Sequence, residues 1–160
     1  MNKPIPALVA AIACLLLAVS PARAAERVAL VIGNGAYENA DPLPNPPNDA
    51  RAVSGALRNV GFEVVEGVDL DRRGMERAIR DFLREATDAK IALMFYAGHG
   101  MQVGGRNYLV PVDAALREAT DLSFETIQLD TVLDNLNEPG RANIIVLDAC
   151  RNNPLSRSFR

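Results

Sequence analysis

Histidine is nearly missing from this 160-residue chain: there is one, with two cysteines and no tryptophan. A zinc or iron–sulfur centre built from His and Cys therefore lacks enough ligands. A cationic surplus is missing too, because 17 Lys and Arg face 20 Asp and Glu, for a formal net charge of -3. With no local basic stripe either, nothing is present to neutralise a nucleic-acid backbone. No apolar run reaches the roughly 20 residues of a membrane span. What is there, 49% apolar and 23% charged residues, sets aside disordered and collagen-like classes and fits one globular domain.

The amino terminus reads as an export signal. Lys3 supplies a positive start, Ala7 to Val19 is unbroken apolar, and Ala22-Arg23-Ala24 offers small residues at the two positions that define a cleavage site. Residues 1–24 are thus expected to be removed after Ala24, leaving residues 25–160 as the folded domain. The expected location is the periplasm or the exterior, with no stable membrane insertion once the signal is gone. Cleavage also removes Cys14, so Cys150 becomes the sole cysteine. It cannot close an internal disulfide, which leaves an intermolecular bridge, an inert buried thiol or a reactive one.

Along the remaining chain, strand and helix patterns alternate. Arg27 to Gly33 is a continuous apolar run, as in a strand covered on both faces. Asp41 to Pro47 holds four prolines in seven residues and predicts a stiff loop. A helix should follow, capped by Asn48, with Ala52, Val53, Ala56, Leu57 and Val60 at helical spacing and Gly61 as its stop. Phe62 to Val65 predicts a second strand, and Leu70 to Thr87 a helix with one apolar stripe through Met75, Ala78, Ile79, Phe82 and Leu83. Ile91 to Tyr96 predicts a central strand, Met101 to Val110 a hairpin turning at Gly104-Gly105, Leu129 to Leu136 a helix, and Asn143 to Leu147 a fourth strand. This alternation implies a doubly wound α/β layer: a mostly parallel sheet with helices on both faces. Ligands of such sheets bind beyond the carboxyl ends of the strands.

His99 follows the third strand and Cys150 the fourth. Taken singly, each has a plainer reading, the histidine as a turn residue and the cysteine as a small core hydrophobe. Together they have the chemistry of nucleophilic catalysis. A thiol attacks carbonyl carbon as thiolate, so it needs a base, and His99 is the one imidazole available. The flanking Gly98 and Gly100 allow close backbone approach, and the N–H groups of Gly100 and Cys150 can face a developing oxyanion.

Tyr96-Ala97-Gly98-His99-Gly100 resembles the histidine motif, and Asp148-Ala149-Cys150-Arg151 the cysteine motif, of caspase-like peptidases, above all the bacterial metacaspase-like (orthocaspase) proteins. The separation of 51 residues agrees with the caspase cue of a histidine about 50 residues before the cysteine. The likeness runs from Arg27 to the end and includes Val28 to Asn34, Tyr37 and Asn48-Asp49-Ala50. It implies a caspase-like fold, a cysteine endopeptidase, His99 as general base and acid, Cys150 as nucleophile and Gly100 in the oxyanion hole. Metacaspases cut after Arg or Lys, using acidic residues in the pocket for the residue before the cleaved bond; Asp148 and Asp49 match those positions. A carboxylate pair suits a guanidinium, which it can grip bidentately. Asp49 has an alternative role, interacting with its helix dipole. Members of this family often respond to calcium, yet no loop here has recognisable ligand spacing, and no cofactor is implied.

Two features set this chain apart from the family pattern. Asp148-Ala-Cys150-Arg-Asn152 replaces the Gln-Ala-Cys signature of animal caspases, which argues against Asp specificity. Only ten residues follow Cys150, whereas a complete caspase-like unit has further, small-subunit strands there. The expectation is a large-subunit-like catalytic portion that is C-terminally incomplete, or is completed by a segment from another chain, with the fourth strand as an open apolar edge. The competing function is a non-catalytic caspase-like interaction module. A redox-sensing Cys150 is a third class, and Gly33-Asn34-Gly35 is too short of a dinucleotide fingerprint to carry nucleotide binding.

Overall fold

A computed structural model describes residues 25–149; the export-signal segment, Cys150 and the residues after it lie outside the described residues. In chain order the elements are β1 (Arg27–Gly33), α1 (Pro46–Asn59), β2 (Glu63–Val68), α2 (Arg72–Glu85), a short 3-10 turn, β3 (Ile91–Ala97), β4 (Gly100–Val103), β5 (Arg106–Leu109), α3 (Asp121–Glu125), β6 (Ile127–Gln128), α4 (Leu129–Leu136) and β7 (Ala142–Asp148). Four strands form a wholly parallel sheet in the order β2-β1-β3-β7. The doubly wound α/β layer expected from the sequence is present.

Alternation within the central strands explains the cover on each face. Val28, Leu30 and Ile32 of β1 and Ala92, Met94 and Tyr96 of β3 point to one side, where they meet Met75, Ile79 and Phe82 of α2 and Val132 and Leu136 of α4. Ala29, Val31, Phe95 and Ala97 point to the other, against Ala50, Val53 and Leu57 of α1. The β1-to-β2 connection moves one way across the sheet, and the β2-to-β3 and β3-to-β7 connections move the other. Right-handed crossovers then put α1 alone on one face and α2 with α4 on the other.

Among the described residues β7 pairs only with β3. On the α1 face Ile144 (43% exposed) and Val146 (42%) are in contact with solvent, as is Leu147 (38%) on the opposite face.

Helix α1 starts earlier than its sequence suggests. It begins at Pro46, inside the proline run, with Asn45 rather than Asn48 at the cap position. Proline is well placed in the first turn, where its missing N–H would have had no partner and its fixed φ already matches the helix. Helix α2 is capped by Asp71, whose carboxylate accepts from the Gly74 N–H at 2.6 Å. The Gly104-Gly105 hairpin is also present, with φ of +59° and +80° at the two central residues, as a tight turn matched to strand twist requires. The two-residue strand β6 adds to it, forming a separate antiparallel sheet β4-β5-β6 that the sequence did not announce.

Candidate active site

The four parallel strands end abreast. Val68 is the register partner of Gly33, Gly33 of Ala97, and Ala97 of Asp148. Strand order reverses between β1 and β3, because β2 lies on one side of that pair and β7 on the other. The loops leaving β1 and β3 therefore diverge at the crevice where doubly wound sheets bind ligands. The first of these loops carries Asp41; the second carries His99.

His99 is held at four points. Its N–H donates to the Tyr37 hydroxyl at 2.7 Å. Its carbonyl accepts from the Tyr96 hydroxyl at 2.7 Å and from the Val110 N–H at 3.1 Å. Its ring lies against that of Tyr37, with centroids 4.4 Å apart, and its Nε2 lies 2.7 Å from the backbone carbonyl oxygen of Asp41. A carbonyl only accepts, so this contact makes Nε2 the protonated nitrogen and leaves Nδ1 with its lone pair. A cavity of about 240 Å³ adjoins the imidazole, lined by Asn39, Ala40, Asp41, Val110, Ala114 and Leu116.

Gly98 makes this arrangement possible. Its φ is +153°, and a Cβ there would lie 2.6 Å from the Tyr37 hydroxyl and 2.8 Å from that of Tyr96. The two hydroxyls, 3.4 Å apart, occupy the space that a side chain would need. Burial pushes the Tyr37 phenol above its ordinary value, and pushes that of fully buried Tyr96 well above it. Both rings therefore stay neutral and keep the hydroxyl protons that their hydrogen bonds use.

The β1 loop is fixed from beneath. Asn34 is fully buried; its Oδ1 accepts from the Leu70 N–H at 2.9 Å, and its Nδ2 lies 3.3 Å from the carbonyls of Leu70 and Val110. Asp69, at φ +52°, accepts from the N–H groups of Gly35 and Ala36 at 2.7 and 2.9 Å. The Glu38 N–H donates to the Val112 carbonyl at 2.9 Å. The carbonyl of Asp41 is thus carried by a braced loop.

The other expected site residues divide as follows. Gly100 opens β4 and faces Leu109 across the hairpin. The adjacent pair, His99 and Val110, is the hydrogen-bonded one, so ladder alternation turns the Gly100 N–H away from β5 and toward the open side of β4. Asp148 ends β7, exposed, and its carbonyl accepts from the Gly98 N–H at 3.2 Å, which ties it to the His99 loop. Asp49 lies half-buried in the first turn of α1. That turn reaches the same rim, because Pro46 and Ala50 pack against Gly33 at the end of β1. Cys150 lies outside the described residues. Among the described residues no group of three His, Cys, Asp or Glu is arranged to hold a metal, and no helix is long and apolar enough to cross a membrane.

A family profile for the caspase domain matches residues 26–160. The chain belongs to the caspase family. Its parallel sheet with helices on both faces is the expected caspase-like fold. Among curated proteins, this caspase domain is 32% identical over 129 residues to mucosa-associated lymphoid tissue lymphoma translocation protein 1 of Homo sapiens, and equally to its homolog in Mus musculus. The match covers 80% of the chain but spans only 15% of each relative.

Two contributors to the site are not legible in the sequence by residue type. The Asp41 carbonyl is a backbone atom and has no residue signature, although the proline run beside it marks a loop held stiff for some purpose. Tyr37 is visible only as part of the family likeness, since one tyrosine in a loop has no period to read.

Proposed function

We infer that the chain is a cysteine endopeptidase in which His99 and Cys150 form the dyad, acting on peptide or protein substrates and cutting after Arg or Lys. The observation that carries this reading is the imidazole oriented by a main-chain carbonyl, with Nδ1 left as the basic nitrogen. Register supports it: Ala97 and Asp148 are partners, and His99 and Cys150 each stand two residues further along their chains.

In this mechanism Nδ1 takes the thiol proton, and the sulfur attacks the carbonyl carbon of the scissile bond. The oxyanion is met by the Gly100 and Cys150 N–H groups, a contribution on the order of 3 kcal/mol per donor. The imidazolium then gives its proton to the departing amine, leaving a thioester. Water attacks the thioester, losing its proton to Nδ1, and collapse expels the thiolate. Asp148 and Asp49, both at the carboxyl rim of the sheet, supply the negative charge for a guanidinium or ammonium group. The Asp-Ala-Cys-Arg-Asn motif resembles that of the metacaspase-like branch, which supports a preference for basic residues.

Hydrolysis of a fluorogenic peptide ending in Arg tests the reading. Cys150→Ala should abolish turnover while leaving the melting temperature unchanged; surviving hydrolysis would remove Cys150 from its role. Asp148→Asn should lower kcat/KM for Arg substrates by roughly 10- to 100-fold, the worth of a charge-assisted hydrogen bond. An unchanged residue preference would exclude Asp148 from the pocket.

Residues 1–24 are assigned as the export signal, with a periplasmic or secreted product; its amino-terminal sequence should then begin at Ala25. The exposed apolar residues of β7 favour a second reading, an interaction module that takes a strand from another chain. Alkylation by iodoacetamide separates the two, because a dyad cysteine reacts well below pH 8.5 and an inert thiol does not.

A further inference from the structure

A cavity of about 600 Å³, separate from the one beside His99, opens between α2, the β4–β5 hairpin and the α3–α4 segment. Its charge runs against that of the chain. Arg72, Arg80 and Arg106 line it with Glu76 as the only acid, while the whole molecule has a formal charge of -3. Three guanidinium groups thus share one carboxylate.

That carboxylate is stretched between partners and does not neutralise them. Glu76 lies 3.3 Å from Arg72 Nε and 3.8 Å from Arg80. The Arg72 Nε is buried and, although the Glu76 carboxylate lies close by, makes no well-directed hydrogen bond. The Arg106 side chain has no hydrogen-bond or ion-pair partner among the described residues. The rest of the wall is mixed: Ile79, Leu122 and Val132 form an apolar portion beside Tyr108, and Ser123, Gln128 and Asn135 are among its polar members.

We propose that this cavity binds a small phosphate monoester with an apolar or aromatic body. The local surplus of two positive charges matches a phosphate that carries about -1.5 to -2 near neutral pH. Guanidinium forks pair bidentately with phosphate oxygens. The volume lies within the range of roughly 300–1,000 Å³ typical of small-ligand sites, and the apolar portion of the wall, Ile79, Leu122 and Val132 beside Tyr108, receives the ester's body. The site does not depend on the peptidase reading, because none of its lining residues belongs to the His99 loop or to the rim of the parallel sheet.

Isothermal titration of the full chain with phenyl phosphate, inorganic phosphate and phenol tests the assignment. Phenyl phosphate should bind at least tenfold more tightly than either fragment. The double variant Arg80→Gln/Arg106→Gln should weaken it at least tenfold with an unchanged ligand-free melting temperature, since both side chains are on the surface. Glu76→Gln should tighten binding. The proposal is overturned if phenyl phosphate binds no better than inorganic phosphate, or if the double variant binds it as well as the parent does. If the double variant melts lower, Arg106→Gln alone takes its place: weakened binding supports the site, and binding equal to the parent's overturns it.

Discussion

At Gly98 the backbone conformation and the packing make the same demand. An alanine there would have its methyl carbon less than 3 Å from the Tyr37 and Tyr96 hydroxyls, on a backbone at φ +153°. Gly98→Ala should cost about 2–4 kcal/mol in urea unfolding, from positive-φ strain and overpacking combined. It should also displace His99, whose N–H and carbonyl are the partners of those hydroxyls. The same tyrosines give an alkaline signature. Both have folded pKa values raised above 10.0 by burial, so the proton is held more tightly in the native state than in the unfolded one. Their contribution is fully present below pH 10 and is lost as pH rises through the folded values. Chemical unfolding at stepped pH should show stability falling above about pH 10, with a shallower fall in Tyr96→Phe. An equal slope in that variant would remove Tyr96 as the source.

Among the elements, legibility in the sequence follows length and period. Strands β1, β3 and β7 and helices α2 and α4 are readable because each is long enough to show a buried run or a stripe. Strand β1 and helix α4 have the expected bounds, β3, β7 and α2 differ from theirs by one or two residues, and β2 runs three residues past its expected end at Val65, to Val68. Helix α3, with five residues, and β6, with two, are too short to show any period, and tertiary packing defines them. The start of α1 departs from expectation because proline reads as a breaker along a sequence, whereas in the first turn it is a helix starter. Of the candidate site, the imidazole, the thiol and their glycines are readable from residue type. Strand register and the carbonyl at residue 41 are not, since neither is written in a side chain. Strand β7 also carries a prediction: its Ile144 and Val146 side chains are uncovered on the α1 face. Ile144→Lys/Val146→Lys should suppress concentration-dependent association in sedimentation velocity without loss of helix signal. Unaltered association would place the contact elsewhere.

For the molecule as a whole, the cavity beside His99 and the cationic cavity lie on different structural supports. The first is built on loops braced from the parallel sheet, whereas the second sits between α2 and the small antiparallel sheet. The proposed peptidase chemistry and the proposed anion binding should therefore be lost independently of each other. One further consequence concerns position 41. The partner of the imidazole there is a peptide oxygen, which every amino acid possesses. If the proposed dyad operates, saturation mutagenesis at that codon should leave peptide turnover nearly level across the substitutions, while deleting a single residue between Tyr37 and Pro42 should abolish it. Tolerance to replacement combined with intolerance to shortening distinguishes a catalytic contact made by the main chain.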